Sequence, residues 1–217
     1  MKKTMIISAV LALMAVPVLA EAGPSAGIDY TDVGLSGHAG RPGVSLNLGN
    51  VYRDNVVADG SATFARGFYQ MDASIGKLIP ADGLSFEPYL SANFLNLNYN
   101  QAETGYTSQT ISSGFGSSFT TQTPYSYTES RSIQDFYGLA GVNMSIPLSR
   151  KVTFGLGGGY GHTLGVYGDG SGGAVYTGDA LASFQIAPRV TTDLQVQYQH
   201  VPGASMTDYG VGLNYHF

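Results

Sequence analysis

The sequence predicts an all-β fold: a transmembrane antiparallel up-and-down β-barrel of eight strands, with ten the alternative count. Three observations predict it. Large apolar residues alternate with small or polar ones along the whole chain beyond residue 20, the pattern of strands with one greasy and one polar face. Glycine makes up 30 of the 217 residues and charged residues only 12%, against about 7% and about 25% in ordinary chains. Beyond the N-terminal run, no stretch is long and apolar enough for a spanning helix. A chain of this kind can sit in lipid only as a closed barrel, because open strands would leave backbone groups unsatisfied there.

The N-terminus reads as an export signal. Lys2 and Lys3 precede an apolar run from Met5 to Ala20 that ends on Val18-Leu19-Ala20, a basic region, apolar stretch and small-residue cleavage site. The division is therefore a signal peptide over 1–20 and a barrel domain over 21–217. Pro17 and the shortness of the run disfavour an uncleaved anchor. With Cys at 0, an exported chain has no disulfide framework and depends on packing and strand pairing.

The eight strands follow in order. Val44, Leu46 and Leu48 oppose Ser45, Asn47 and Gly49; Tyr69, Met71, Ala73 and Ile75 oppose Phe68, Gln70, Asp72 and Ser74. Phe86, Leu90, Ala92 and Phe94 oppose Glu87, Ser91 and Asn93, after which Leu95, Leu97 and Tyr99 continue on the other parity, predicting a bulge. Phe136, Ala140, Val142, Met144 and Ile146 form the fourth apolar face. The clearest alternation is the fifth, where Val152, Phe154, Leu156, Tyr160, Leu164 and Val166 are interleaved mostly with glycine. Ala182, Phe184 and Ile186, then Leu194, Val196 and Tyr198, mark the next two. The last runs Tyr209, Val211, Leu213, Tyr215, Phe217 to the terminus.

Tight turns are expected at Ile79–Ser85, Pro147–Lys151 and Ala187–Arg189. Long outer loops are expected at Asp54–Ala62, Gln101–Gln134, Gly168–Gly173 and Val201–Thr207, the asymmetry of membrane barrels. Basic Arg41, Lys77, Arg150, Lys151 and Arg189 group with the short turns, and acidic Asp54, Asp59, Glu103, Glu129, Asp169 and Asp208 with the loops. Ile28–Gly37 is left over. It is an extension in an eight-stranded barrel, or a barrel strand in a ten-stranded one whose missing partner lies within Gln101–Gln134.

The closing strand resembles the C-terminal targeting strand of bacterial outer-membrane proteins. Gly212, Leu213, Tyr215 and Phe217 supply its assembly signal, while Gly210 stands where a polar residue is usual. The mature chain as a whole resembles small Gram-negative outer-membrane barrels of the OmpA type. Asp29-Tyr30-Thr31-Asp32-Val33-Gly34-Leu35-Ser36-Gly37, Gly43-Val44-Ser45-Leu46-Asn47 and the closing Tyr209-Gly210-Val211-Gly212 are similar to YfaZ-like outer-membrane proteins. The resemblance implies residence in the bacterial outer membrane, insertion by the barrel-assembly machinery, and contact with outer-membrane lipid and lipopolysaccharide. It implies no reaction.

A net charge of -5 excludes the basic face that nucleic acid requires. Arg66, Asp72, Glu87 and Asp193 are expected to point inward as paired charges plugging the lumen, since an eight-stranded barrel is only wide enough to be filled by side chains. Tyr106, Tyr125 and Tyr127 in the longest loop are candidates for surface contact with an extracellular partner whose nature the sequence does not give. His200 precedes Ser205 in the manner of lipid A deacylases, but the expected serine position holds Pro202 and the spacing across Pro202-Gly203 fixes no geometry. His38, His162 and His216 are scattered, so no metal, cofactor or catalytic residue is assigned. The expectation is a non-enzymatic barrel with an envelope-structural or surface-interaction role. A narrow pore for small solutes and a lipid A-modifying enzyme are the rivals.

Overall fold

Alternation along each strand dictates a sheet that turns one face to lipid, and the chain closes that sheet on itself. The computed structural model describes residues 23–112 and 118–217; the expected signal peptide, 1–20, lies outside them. The strands are β1 (Pro24–Leu35), β2 (Arg41–Val51), β3 (Val56–Ala65), β4 (Phe68–Lys77), the short β5 (Ile79–Ala81), β6 (Leu84–Ser112), β7 (Ser118–Ser149), β8 (Val152–Gly168), β9 (Ala174–Ala187), β10 (Val190–Val201) and β11 (Ala204–His216). Apart from β4 and β5, consecutive strands pair antiparallel; β4 pairs with β6, and β1 pairs with β11 from Ser25↔His216 to Leu35↔Met206. β5 pairs only with the start of β6. Among the described residues the barrel has ten strands, and none of the ten is left with an open edge.

The count of eight is thus corrected to ten, which also separates the chain from the eight-stranded OmpA-type barrel. One added strand is β1, from the leftover segment. The other is β3, which lies where the loop Asp54–Ala62 was expected rather than inside Gln101–Gln134. β3 escapes the pattern because most of its lipid-side residues are small. Ala58, Gly60 and Ala62 face neighbours such as Leu46, Leu48 and Met71 in register, and only Phe64 is large and exposed.

The outer surface is an apolar belt. Leu164 is 67% and Leu90 63% exposed, joined by Ile28, Val44, Leu46, Leu156, Leu194 and Leu213. Tyr30, Tyr176, Tyr198 and Tyr209 stand toward one end and Tyr215 and Phe217 toward the other. A belt flanked by aromatic residues fits a bilayer and would be an aggregation surface in water. With short turns facing the periplasm and the long hairpin outside, both described ends of the chain are periplasmic.

Three further expectations change. No bulge follows Phe94: β6 and β7 stay in continuous register from Ser85↔Ser145 to Ser112↔Ser118. Leu95, Leu97 and Tyr99 simply point inward. The register shift lies between Phe136 and Tyr137 against β8, and it brings Val166 beside Asp135 instead of onto the belt. Val201–Thr207 is no loop: Pro202-Gly203 makes the turn, with Gly203 at φ +92, as a proline-glycine turn of type II requires.

Within Gln101–Gln134 the described residues form a β-ribbon, the upper part of β6 and β7, which pair with each other beyond their neighbours β4 and β8. From Asn98 to Ser112 it would rise about 50 Å at about 3.4 Å per residue. The charge sorting is also redrawn. Arg53 and Asp54 lie in the periplasmic β2–β3 connection, Asp59 lines the lumen, and Arg41 begins β2 at the outer end.

Candidate functional site

The outer half of the lumen is mostly apolar, with the carboxylates of Asp135 and Asp208 buried beside the apolar side chains, and the inner half is polar. Inward positions at the outer ends of the strands carry Val33, Leu35, Phe68, Leu95, Leu97, Ile133, Tyr137, Val175, Val201 and Met206, which pack into one cluster. Leu95, Leu97, Tyr137, Val175 and Val201 have no exposed surface. Side chains from β1, β4, β6, β7, β9, β10 and β11 therefore meet across the barrel and shut it. Below them Gln199 Nε2 of β10 donates to the Tyr137 hydroxyl of β7 at 2.5 Å, a strap spanning two intervening strands.

Beneath the plug is a cavity of about 390 Å³, lined by serine, asparagine and glutamine together with Asp59, Asp72, Glu87 and Asp179. Among the described residues, no lysine or arginine lines it. Asp72 accepts from Ser61, while Asp29 and Asp193, also inward, accept from Asn47 and Asn214. Neutral amides and hydroxyls thus serve as the partners of these acids. Tyr89 lies over Gly141 and Gly159, where a β-carbon would come within 2.5 Å and 2.7 Å of the ring or its hydroxyl. Those glycines make room for the tyrosine that crosses the cavity.

The expected lumen charges divide accordingly. Asp72 and Glu87 line the cavity and Asp193 bonds within the lumen. Arg66 is not among them: it occupies the exposed β3–β4 turn at the outer rim. With β3 present, Arg66-Gly67 is a tight hairpin turn, so the inward parity of Phe68, Gln70 and Asp72 does not extend back to Arg66. The lumen is accordingly plugged by apolar side chains, and paired charges play no part among the described residues.

The surface tyrosines are exposed on the ribbon, at 63% for Tyr106, 50% for Tyr125 and 46% for Tyr127. Tyr125 and Tyr127 share one face with ring centroids 5.8 Å apart. Tyr106, paired opposite Pro124, points to the other face. The assembly-signal residues sit at the closing seam, where Leu213 pairs Ile28, Gly212 pairs Asp29 and Phe217 N donates to the Pro24 carbonyl at 2.9 Å.

One contact does not follow from the sequence spacing alone. The tight Pro202-Gly203 turn places His200 directly opposite Ser205, and His200 Nδ1 lies 2.8 Å from Ser205 Oγ. Both are on the outward parity, and His200 stacks on Tyr176 with centroids 4.6 Å apart. Among the described residues no carboxylate bonds the other imidazole nitrogen.

A closed β-barrel with an apolar belt outside and polar groups within is a bacterial outer-membrane protein, and its place is the outer membrane. A solved structure supports the fold. The outer membrane protease OmpT from Escherichia coli superposes with a TM-score of 0.59 at 9% identity, covering 94% of this chain and 100% of that one. The NanC porin (TM-score 0.47, 9% identity, 88% and 100% covered) and Ail, the attachment invasion locus protein of Yersinia pestis (0.35, 11%, 90% and 97%), are also similar. At these identities the likeness extends to the barrel and not to an activity. No protein-family model and no curated protein matches the chain.

Proposed function

We propose that this barrel acts without catalysis, as an envelope-structural and surface-interaction protein. Its lumen is shut, and its ribbon presents Tyr106, Tyr125 and Tyr127 to the exterior. The supporting observation is the apolar plug. A constriction formed by fully buried side chains excludes water, and an unwetted constriction does not pass ions. The likeness to YfaZ-like proteins, insertion by the barrel-assembly machinery and contact with lipopolysaccharide belong to this same reading. Purified protein in planar bilayers is expected to give no steady single-channel steps; large stepwise currents would instead favour the narrow pore.

A second reading rests on the His200–Ser205 contact. A hydroxyl within hydrogen-bond reach of an imidazole, held at the outer-leaflet interface, is the start of a nucleophile for lipid esters. A third group to orient the ring is lacking among the described residues, which favours the non-enzymatic reading. Lipid A acylation compared between strains with the gene deleted, wild type and His200→Ala decides between them. A change on deletion that His200→Ala reproduces would establish the enzyme.

A further inference from the structure

Three of the basic residues of this acidic chain gather at its outer rim. A cavity of about 680 Å³ opens between the β1–β2 loop, the β3–β4 turn and the foot of the ribbon, with His38, Arg41, Arg66, Tyr99 and Arg131 in its wall. Arg41 is fixed in place: its Nη1 donates to the carbonyls of Asn98 at 2.9 Å and Gly67 at 3.3 Å. Arg66 itself has no hydrogen bond or ion pair among the described residues. Arg131 bonds Glu129 at 2.8 Å and faces Glu103 at 3.6 Å, yet its Nε is buried without a partner.

Arg41 and Arg66 share this wall, and among the described residues no carboxylate lines it; like charges in one cavity repel, and an anion bound between them removes that cost. Guanidinium forks match phosphate and carboxylate oxygens. The remaining wall suits a sugar. The Tyr99 ring stands edge-on to His38 with centroids 5.4 Å apart, and Ser130 and Asn100 supply neutral hydrogen-bonding groups, already bonded to each other at 3.1 Å. The volume lies within the range of about 300–1,000 Å³ usual for small-ligand sites.

We propose that this rim cavity binds a sugar-borne oxyanion, phosphate or carboxylate, with Arg66 as the principal contact and Arg41 as a pre-positioned second. The anionic sugar belongs either to lipopolysaccharide in the same leaflet or to a free acidic saccharide reaching the cell surface. The inference rests on outer-membrane placement and not on the shut lumen, so its failure would leave the conductance result untouched.

The test is calorimetric titration of the mature barrel in detergent with four probes: lipopolysaccharide, dephosphorylated lipopolysaccharide, glucose 6-phosphate and galacturonate. Binding of lipopolysaccharide alone, reduced by dephosphorylation, assigns the membrane source; binding of either soluble acid assigns the free one. In either case Arg66→Gln should weaken binding roughly tenfold, the scale of one charge-assisted contact, and added salt should weaken it further. Arg66 makes no internal bond, so this variant should fold, and heat-modifiable gel migration checks that it has. Arg41→Gln, which also frees two carbonyls, is the companion variant. No binding of any probe, or wild-type affinity in Arg66→Gln, would overturn the proposal.

Discussion

Truncating the plug should turn a silent barrel into a cation-selective channel. Leu95→Ala with Leu97→Ala removes six carbons from two side chains that have no exposed surface. At about 0.8 kcal/mol per buried carbon, the lost transfer free energy is about 5 kcal/mol. Single buried Leu→Ala changes cost about 2.7–5.0 kcal/mol with the cavity term included, which gives about 5–10 kcal/mol for the pair. The strand ladder is untouched, because β6 keeps its register with both β4 and β7 at these positions. The void exceeds the roughly 30 Å³ of one water and opens in the cluster that includes Tyr137, a residue that also lines the polar cavity of about 390 Å³. Ions that enter meet Asp59, Asp72, Glu87 and Asp179 and no basic side chain. Under a tenfold KCl gradient, the reversal potential should therefore move toward the cation limit of about 59 mV. Planar-bilayer recording of wild type and variant reads this directly. A conducting wild type would refute the plug, and an anion-selective variant would refute the acidic lumen.

Other expectations follow from single contacts. A β-carbon on Gly161 would sit 1.8 Å from the Gly138 carbonyl oxygen, whereas one on Gly158 meets nothing nearer than the Thr177 oxygen at 3.5 Å. Gly161→Ala should thus destabilise by about 3 kcal/mol or more and Gly158→Ala by little, read as urea midpoints of heat-modifiable migration; equal midpoints would contradict the register of β7 and β8. Tyr137→Phe leaves the buried Gln199 amide without an acceptor and should cost about 1–3 kcal/mol, measured by the same midpoints. Deleting 101–132 should leave a folded barrel, because pairing to β4 and β8 ends at Leu97 and Ile133. Loss of heat-modifiability on that deletion would show that the ribbon supports the barrel.

Much of the fold was legible because its outer face obeys a simple rule. Along β8, large side chains alternate with glycine for nearly the whole strand, and lipid on one side enforces that pattern. The rule failed where the lumen is not polar. Leu95 and Leu97 keep strand parity but fill an apolar plug, so an assumption of polar interiors reads them as a phase slip. It failed again at β3, where Ala58, Gly60 and Ala62 give lipid no large residue to meet. That single omission hid the tight turn at Arg66-Gly67 and so carried Arg66 from the rim into the lumen. The inward acids Asp72, Glu87 and Asp193 were readable from alternation alone. The His200–Ser205 contact was not, because it depends on a two-residue turn where a longer loop was expected.

The account depends on a ten-stranded cylinder closed by β1 against β11, and an engineered disulfide tests that seam most directly. The chain has no cysteine of its own, so Ile28→Cys with Leu213→Cys introduces the only pair. These positions are direct partners, and the roughly 4.5–5.5 Å between paired Cα atoms lies within disulfide reach. Leu46, the Ile28 partner on β2, is one strand farther from Leu213, about 9.5 Å away. The expected result is oxidation of the Ile28→Cys, Leu213→Cys pair in outer membranes and none for Leu46→Cys with Leu213→Cys. The reverse outcome, β2 joined directly to β11, would mean a barrel closed without β1, and the ten-stranded cylinder would be wrong.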